Sequence, residues 1–440
     1  MKAFLVPIVL IATSFFYFPF YFTFLPTVNT KMMMAALGLV VLLVKLGRDG
    51  HGYVSKDFFM LSLYAVGVSL ASLLAMTLND TNDGAYLSYI VTMWVWVGAA
   101  YFVVNLIKAV HGKVNVELVC FYMIAVGALQ CILAMSMDRF PPLKSFVDSF
   151  LAGRGFMGKF EGRLYGIGCA LDVAGGRFAV LLIMIAFLLP NVMKRKNSTL
   201  YVVFLLSAFC IIAIIGNMIG RTASVGMLMA LAYILFVLFT KNNIISGEYK
   251  RRLSYWVFGT IAVAVVVSVF LYNFDSQWNN YFRFGFEGFF SLVEKGRWEV
   301  QSNEMLKQGL IFPDNLWTWI VGDGYMGAMA EDPYYIGNLF YGFYMGTDAG
   351  YSRFLFYFGI IGMVAFLAFM FNVCRVCMKR STIYRYMFVA MLLLNLIIWV
   401  KVSTDIFLAF APFLCISMEE DTDDIEQIVS KSKDLLNYGI

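Results

Sequence analysis

Charge is scarce in this chain. Lys, Arg, Asp and Glu make up 14% of its 440 residues and hydrophobic residues 61%, against roughly 25% and about 45–50% in ordinary soluble domains. The length alone would suggest two or three soluble domains, and the composition excludes them. The apolar excess is not confined to one stretch at the front, as a signal peptide would be. It recurs as far as about Met418. This is the composition of a polytopic membrane protein, not of a nucleic-acid binder, despite the net charge of +5. The seven cysteines lie within or beside apolar runs, so no disulfide framework is implied. Cys374 and Cys377 have CxxC spacing but no second pair and no neighbouring histidine, too little for a metal or redox centre.

A helix needs about 20 apolar residues to cross a bilayer. Twelve candidate spans lie near residues 4–25, 32–46, 58–78, 86–107, 117–137, 164–189, 199–219, 222–240, 253–272, 351–373, 383–400 and 406–418. The last is short, so eleven spans plus a re-entrant segment is the alternative. The expected fold is all-α and polytopic: a transmembrane domain over 1–418 and an acidic tail over 419–440. Every second short connection is basic, with Arg48 and Lys56, Lys108 and Lys113, Lys194 to Lys196, Lys250 to Arg252, and Lys379 to Arg385. The positive-inside bias makes these connections cytoplasmic, and both termini with them. The two histidines, His51 and His111, fall on that side. External chemistry using a histidine base, a histidine-held metal or a Ser-His-Asp triad is then unavailable.

Two external connections are too long to be turns. Residues 138–163 carry Arg139, Lys144, Arg154, Lys159 and Arg163, against the charge bias. Residues 273–350 form a connection of roughly 78 residues, far beyond the usual loop length of about 15. This segment holds four of the eight tryptophans, Trp278, Trp298, Trp317 and Trp319. That is enough apolar surface for an ordered cap with short helices.

Arginine is the notable charged type near the spans: Arg163, Arg177, Arg221 and Arg353. A charge at the bilayer centre costs about 2.5–3.5 kcal/mol on the insertion scale, so such residues face a partner or a polar cavity. Arg221 sits in Asn217-Met-Ile-Gly-Arg-Thr222, a corner between two spans, and Arg297 opens a helix in the cap. Arginine's planar fork suits phosphate oxygens. External arginines at the membrane surface therefore suit a lipid-linked diphosphate; snorkelling to headgroups is the structural alternative. Asp348, in Gly346-Thr-Asp-Ala-Gly350 just before the span carrying Arg353, is a candidate base as well as a helix cap. Glu299 and Glu304 are reserve acids. Asp323 lies in a Gly-Asp-Gly turn signature, and Asp172, five residues before Arg177, is expected to make a polar contact inside the bundle.

Three stretches resemble the O-antigen polymerase and O-antigen ligase superfamily of bacterial membrane glycosyltransferases. Arg297-Trp298 followed by a helix, Pro313 and Gly322-Asp-Gly324 is similar to the family's loop pattern, with Trp adjacent to Arg as a spacing variant. Thr347-Asp-Ala-Gly-Tyr-Ser-Arg-Phe-Leu-Phe-Tyr-Phe-Gly-Ile-Ile-Gly362 resembles the family's return into the membrane. Gly220-Arg-Thr222 resembles its arginine hairpin, and Arg163-Leu-Tyr-Gly-Ile-Gly168 fits more loosely. The match covers roughly residues 150–365.

The resemblance implies metal-independent, cofactor-free glycosyl transfer at the outer face of the bacterial inner membrane. The implied substrate is an oligosaccharide on undecaprenyl diphosphate, with Arg163, Arg221, Arg297 and Arg353 as diphosphate ligands and Asp348 as base. Arg297 and Asp348 are the implied catalytic pair. A chain-length regulator and a flippase are the implied protein partners. Ligases of the family carry a periplasmic histidine where this chain has Asp348, a departure that favours the polymerase. A transporter for the same lipid-linked glycan is the rival class; it predicts charges near mid-bilayer and an internal repeat, and no repeat is evident.

Overall fold

The computed structural model describes residues 3–49, 55–152, 163–195, 198–240, 246–327 and 343–416. Arg154, Lys159, His51 and the acidic tail lie outside them. Among the described residues a 3-10 turn (Ala3–Leu5) leads into α1 (Val6–Tyr17), and the only sheet is a hairpin of β1 (Tyr21–Phe22) and β2 (Leu25–Asn29). Then come α2 (Thr30–Asp49), α3 (Lys56–Asn79), α4 (Tyr89–His111), α5 (Val116–Arg139) and α6 (Pro141–Phe150). They are followed by α7 (Leu171–Val192), α8 (Thr199–Ile219), α9 (Ala223–Phe239) and α10 (Gly247–Phe274). Four short helices, α11 (Ser276–Gly285), α12 (Glu287–Lys295), α13 (Gln301–Gly309) and α14 (Leu316–Ile320), precede α15 (Gly350–Arg380), α16 (Arg385–Ile398) and α17 (Phe407–Leu414). Eight of these helices are long and apolar enough to cross a membrane: α2, α3, α4, α5, α7, α8, α10 and α15. The protein is an all-α polytopic membrane protein.

Successive helices place their ends together at two poles. At one pole Tyr17 of α1 donates to the Arg177 carbonyl of α7 at 3.0 Å, Arg139 of α5 pairs with Asp275 after α10 at 2.6 Å, and Tyr351 N of α15 donates to Trp399 O after α16 at 3.0 Å. The hairpin, α6 and α11–α14 gather here, and we call it the capped pole. At the other pole Glu117 of α5 accepts from Arg195 after α7 at 2.7 Å and from Tyr384 before α16 at 3.2 Å. Arg380 of α15 donates there to Ile416 O beyond α17 at 3.0 Å.

Three apolar runs do not fold as continuous spans. The run at 4–25 stops at Tyr17, because Pro19 disfavours helical backbone at Phe18. The chain turns back as the hairpin, and Phe20, Phe22 and Phe150 cluster on it. The run expected at 164–189 becomes helical only at Leu171. Before it, Gly166 and Gly168 make a tight turn against α1 and α5. Gly168 has φ +65°, and a Cβ there would strike the Phe18 carbonyl. The run at 406–418 yields only α17, eight residues or about 12 Å of helix. The preceding segment 399–406 is unwound, braced by Trp399 Nε1 donating to Thr404 O (2.8 Å) and Ile406 N donating to Asn395 Oδ1 (3.0 Å).

A second irregularity lies in α15. Its backbone breaks at Phe358 and Gly359, where Gly359 has φ +61°. Asp323 N and Gly324 N donate to Phe356 O (2.6 Å) and Tyr357 O (3.1 Å) beside the break. Side chains at Gly322 or Gly359 would collide with the opposing backbone, so the Gly-Asp-Gly turn docks main chain on main chain. Asn79 and Thr81 donate to Gly322 O (2.9 Å) and Gly324 O (3.1 Å). Asp83 accepts from Met326 N (2.7 Å) and Gly327 N (2.9 Å). The cap is thereby fastened to the α3–α4 corner.

Candidate functional site

The capped pole concentrates charge around the first turns of α7. The α8–α9 corner presses on that helix through two facing glycines: a Cβ on Gly175 would lie 2.8 Å from Gly220 O. Only residues without side chains allow that approach, and it sets Arg221 and Thr222 beside Asp172. The Thr222 hydroxyl donates to Asp172 Oδ1 at 2.6 Å, and Lys401 Nζ reaches the same oxygen at 3.1 Å. Arg221 pairs with Glu287 at the start of α12, and its guanidinium lies 4.7 Å from the Phe284 ring of α11. Arg163 lies 4.8 Å from the same ring. Burial and then the like charge of Arg221 push the Arg163 pKa below its ordinary value, while Asp172 opposes the shift. Each guanidinium makes a cation–π contact with this ring.

One and a half turns further into α7 lies Arg177. Its guanidinium is 5.8 Å from the Phe18 ring. Lys31, in the first turn of α2, lies over Trp96 at 4.3 Å. Asp405 of the unwound 399–406 segment accepts from Phe407 N at 3.0 Å and feels both cations electrostatically. Arg177, Lys31 and Asp405 make no ion pair with one another within 4.0 Å, and all three keep partial solvent access inside the bundle. Irregular backbone at membrane depth is tolerated where it lines a polar recess, and residues 399–406 line this one. Among the described residues, five cations (Lys31, Arg163, Arg177, Arg221 and Lys401) gather here with three carboxylates (Asp172, Glu287 and Asp405). Guanidinium and ammonium donors gathered at the edge of the apolar core are suited to an anion of phosphate type.

Arg163 and Arg221, two of the four arginines proposed from the sequence, are brought together here. Arg353 faces a neighbouring part of the pole, where it donates to Ser403 Oγ (2.7 Å) and Met326 O (3.1 Å) and lies over Phe343 at 4.1 Å. It thus ties the unwound segment to the cap. Asp348 is within electrostatic reach of Arg353 and Thr347 beside it bonds to Gly309 O. Arg297 is elsewhere: three-quarters exposed on the outer layer of the cap, paired with Glu299 at 2.5 Å. Lys295 also holds Glu299, at 2.6 Å, and this bond keeps the Glu299 carboxyl below the usual range. Glu304 is exposed and pairs with Lys307 at 2.8 Å.

Asp172 makes polar contacts inside the bundle, with Lys401 and Thr222. Sequence reasoning missed Lys31, Lys401 and Asp405. Their one signal is a charge abutting an apolar run, and their convergence comes from tertiary topology. No family model, curated protein or solved structure matches the chain. The functional reading therefore rests on the chemistry of these residues.

Proposed function

We propose that this protein is a glycosyltransferase of the bacterial inner membrane, a polymerase that joins undecaprenyl-diphosphate-linked oligosaccharides to build O-antigen or a related surface polysaccharide. In this reading the chain crosses twelve times, with both termini cytoplasmic and the capped pole periplasmic. The observation that carries it is the cluster of cations at the capped pole, with Arg163 and Arg221 both against the ring of Phe284.

A hydroxyl of the acceptor sugar attacks the anomeric carbon of the donor glycan. The carbon–oxygen bond to the diphosphate breaks, and undecaprenyl diphosphate leaves with the electron pair. Arg163 and Arg221, with Arg177 and Lys31 deeper in the recess, hold the charge that develops on the leaving oxygens, as preorganised donors do best in a site poor in water. A carboxylate takes the hydroxyl proton, a contribution of about 10²–10⁴-fold. Asp348 and Asp405 are the candidates, since among the described residues neither is held in an ion pair. Attack opposite the leaving group inverts the anomeric centre. Arg353 positions the recess wall, and Arg297, Glu299 and Glu304 lie where an emerging glycan would pass.

A transport path would have to continue through the bundle. Beyond Arg177, α7 is apolar and buried from Phe178 to Leu189, which favours the enzyme. The test is the glycan profile of a strain lacking the protein. Surface polysaccharide reduced to a single repeat unit supports the polymerase. Long glycan stranded on undecaprenyl diphosphate would assign ligation, single units trapped on the cytoplasmic leaflet would assign transport, and an unchanged ladder would end the glycan reading for that polymer.

A further inference from the structure

The short helix α14 turns an apolar side outward, and its own bonds fix that direction. Asn315 Oδ1 caps it, accepting from Thr318 N at 2.8 Å. Thr318 is buried and donates to Asp323 at 2.5 Å, while Trp319 donates to Pro313 O at 2.8 Å. Leu316, Trp317 and Ile320 are left on the outer side, 79%, 50% and 49% exposed. The polar tip of Trp317 is nevertheless satisfied, because Nε1 donates to Asn79 Oδ1 at the end of α3, at 2.9 Å. An apolar surface of this kind on a folded cap marks an interaction site, and its position on the bundle says with what.

We propose that α14 is an interfacial segment, seated in the leaflet at the capped pole with Leu316, Trp317 and Ile320 in lipid. This seat is independent of the proposed reaction. Two observations carry it. The first is continuity. On α3 the exposed Leu70, Leu74 and Leu78 recur every four residues and lead to Asn79, the partner of Trp317. On α15 the exposed Ile360, Ile361 and Val364 begin directly after Gly359, where the Ile320 carbonyl lies against the backbone. Both helices are long and apolar enough to span, so these exposed faces meet lipid, and α14 joins their upper ends. The second is depth. At the uncapped pole α3 and α15 start level: Lys379 Nζ lies 3.9 Å from Asp57, and the Arg380 guanidinium lies 5.4 Å from the Phe58 ring. Phe58 to Asn79 and Gly359 to Arg380 are each 21 residue steps, which is about 32 Å of helix. The hydrocarbon core is about 30 Å thick. α14 therefore lies one hydrocarbon thickness from these charged ends, at the opposite surface of the same bilayer. That is the level at which an indole, apolar in body and polar at its tip, is favoured.

The test uses the full-length protein in phospholipid nanodiscs, with a nitroxide attached at Leu316→Cys or, separately, Ile320→Cys. Both positions are exposed, and two independent variants guard against misfolding of either. Leu73→Cys on the exposed flank of α3 is the lipid reference, and Glu304→Cys on the exposed side of α13 is the water reference. The unsubstituted protein, labelled in parallel, supplies the background from the native cysteines. Collision with oxygen, which concentrates in lipid, is compared with collision with a water-soluble nickel chelate. The expected result is an oxygen-to-nickel ratio at 316 and 320 that is several-fold above the ratio at 304 and on the side of the ratio at 73. Ratios at both positions equal to that at 304 would place α14 in water and overturn the interfacial seat. Protection from both reagents would overturn it as well, because the face would then be covered by a second copy of the chain or by another protein.

Discussion

Helices α7 and α10 have nearly the same mean hydropathy over their most apolar stretches, 2.1 and 2.2, yet 89% of that stretch is buried in α7 and 6% in α10. Hydropathy alone does not tell the centre of the bundle from its rim. What differs is composition. α7 has Ala174, Gly175, Gly176 and Ala179 on its packing faces and carries Asp172 and Arg177. α10 has a run of valines, Val263 and Val265 to Val267, and keeps its charges in its first two turns. In lipid, helices associate through close van der Waals packing at small residues rather than through hydrophobicity, and intramembrane charges face the interior. Small residues and charge therefore mark the centre, and bulky β-branched residues mark the rim.

The largest test of this contrast is steric. Gly226 of α9 lies so close to the Ala179 backbone of α7 that a Cβ would overlap it. Gly226→Leu should abolish accumulation of folded protein or, in surviving material, cost at least the ~1–3 kcal/mol of an overpacked core. Gly259→Leu on α10 should stay within about 0.5 kcal/mol, as a substitution outside the packed core does. Thermal unfolding of detergent-purified protein compares the two, and equal losses would break the distinction between centre and rim.

The next test separates stability from function at α7. Arg177 is only partly exposed within the bundle, and its guanidinium makes no ion pair among the described residues. Holding a charge there carries a desolvation cost that an apolar residue of similar volume does not. Arg177→Met should thus raise the unfolding midpoint while polymerisation falls. Loss of both would make Arg177 structural. Arg221→Ala and Arg163→Ala should each lower turnover by about 10²–10³-fold, the size of one lost charge-stabilising donor. If Asp405 is the base, Asp405→Asn should match them and Asp348→Asn should not; the reverse pattern would assign the proton to Asp348.

Much of the bundle was legible in the sequence wherever an apolar run is continuous. α8 begins and ends with its run, Thr199 to Ile219, and α3, α4, α5 and α9 follow theirs within a few residues. Runs broken by backbone chemistry were not legible. Phe18-Pro19, Gly166 with Gly168, and 399–406 are all apolar enough to pass for helix. Proline, positive-φ glycine and tertiary bracing by Asn395 and Trp399 decide otherwise. The site divides in the same way. Arg163 and Arg221 stand out as arginines at span edges. Lys31 and Asp405 are 374 positions apart and meet only because α2 and α17 pack around α4.

The smallest effect is expected in the outer layer of the cap, where Arg297 and Glu299 sit. Their pair is exposed on the arginine side, shares its carboxylate with Lys295, and lies outside the cluster around Phe284. Exposed pairs contribute about 0–1 kcal/mol and are screened by salt. Arg297→Ala should therefore leave the unfolding midpoint nearly unchanged, and at high salt the small difference should vanish. Its effect on polymer synthesis discriminates more sharply. If the recess alone handles the diphosphate, Arg297→Ala changes turnover by less than a few-fold and Arg221→Ala by orders of magnitude. Equal losses with intact folding would mean that the outer layer moves onto the recess during the reaction, because in the structure Arg297 binds Glu299 and not the cluster that contains Arg221.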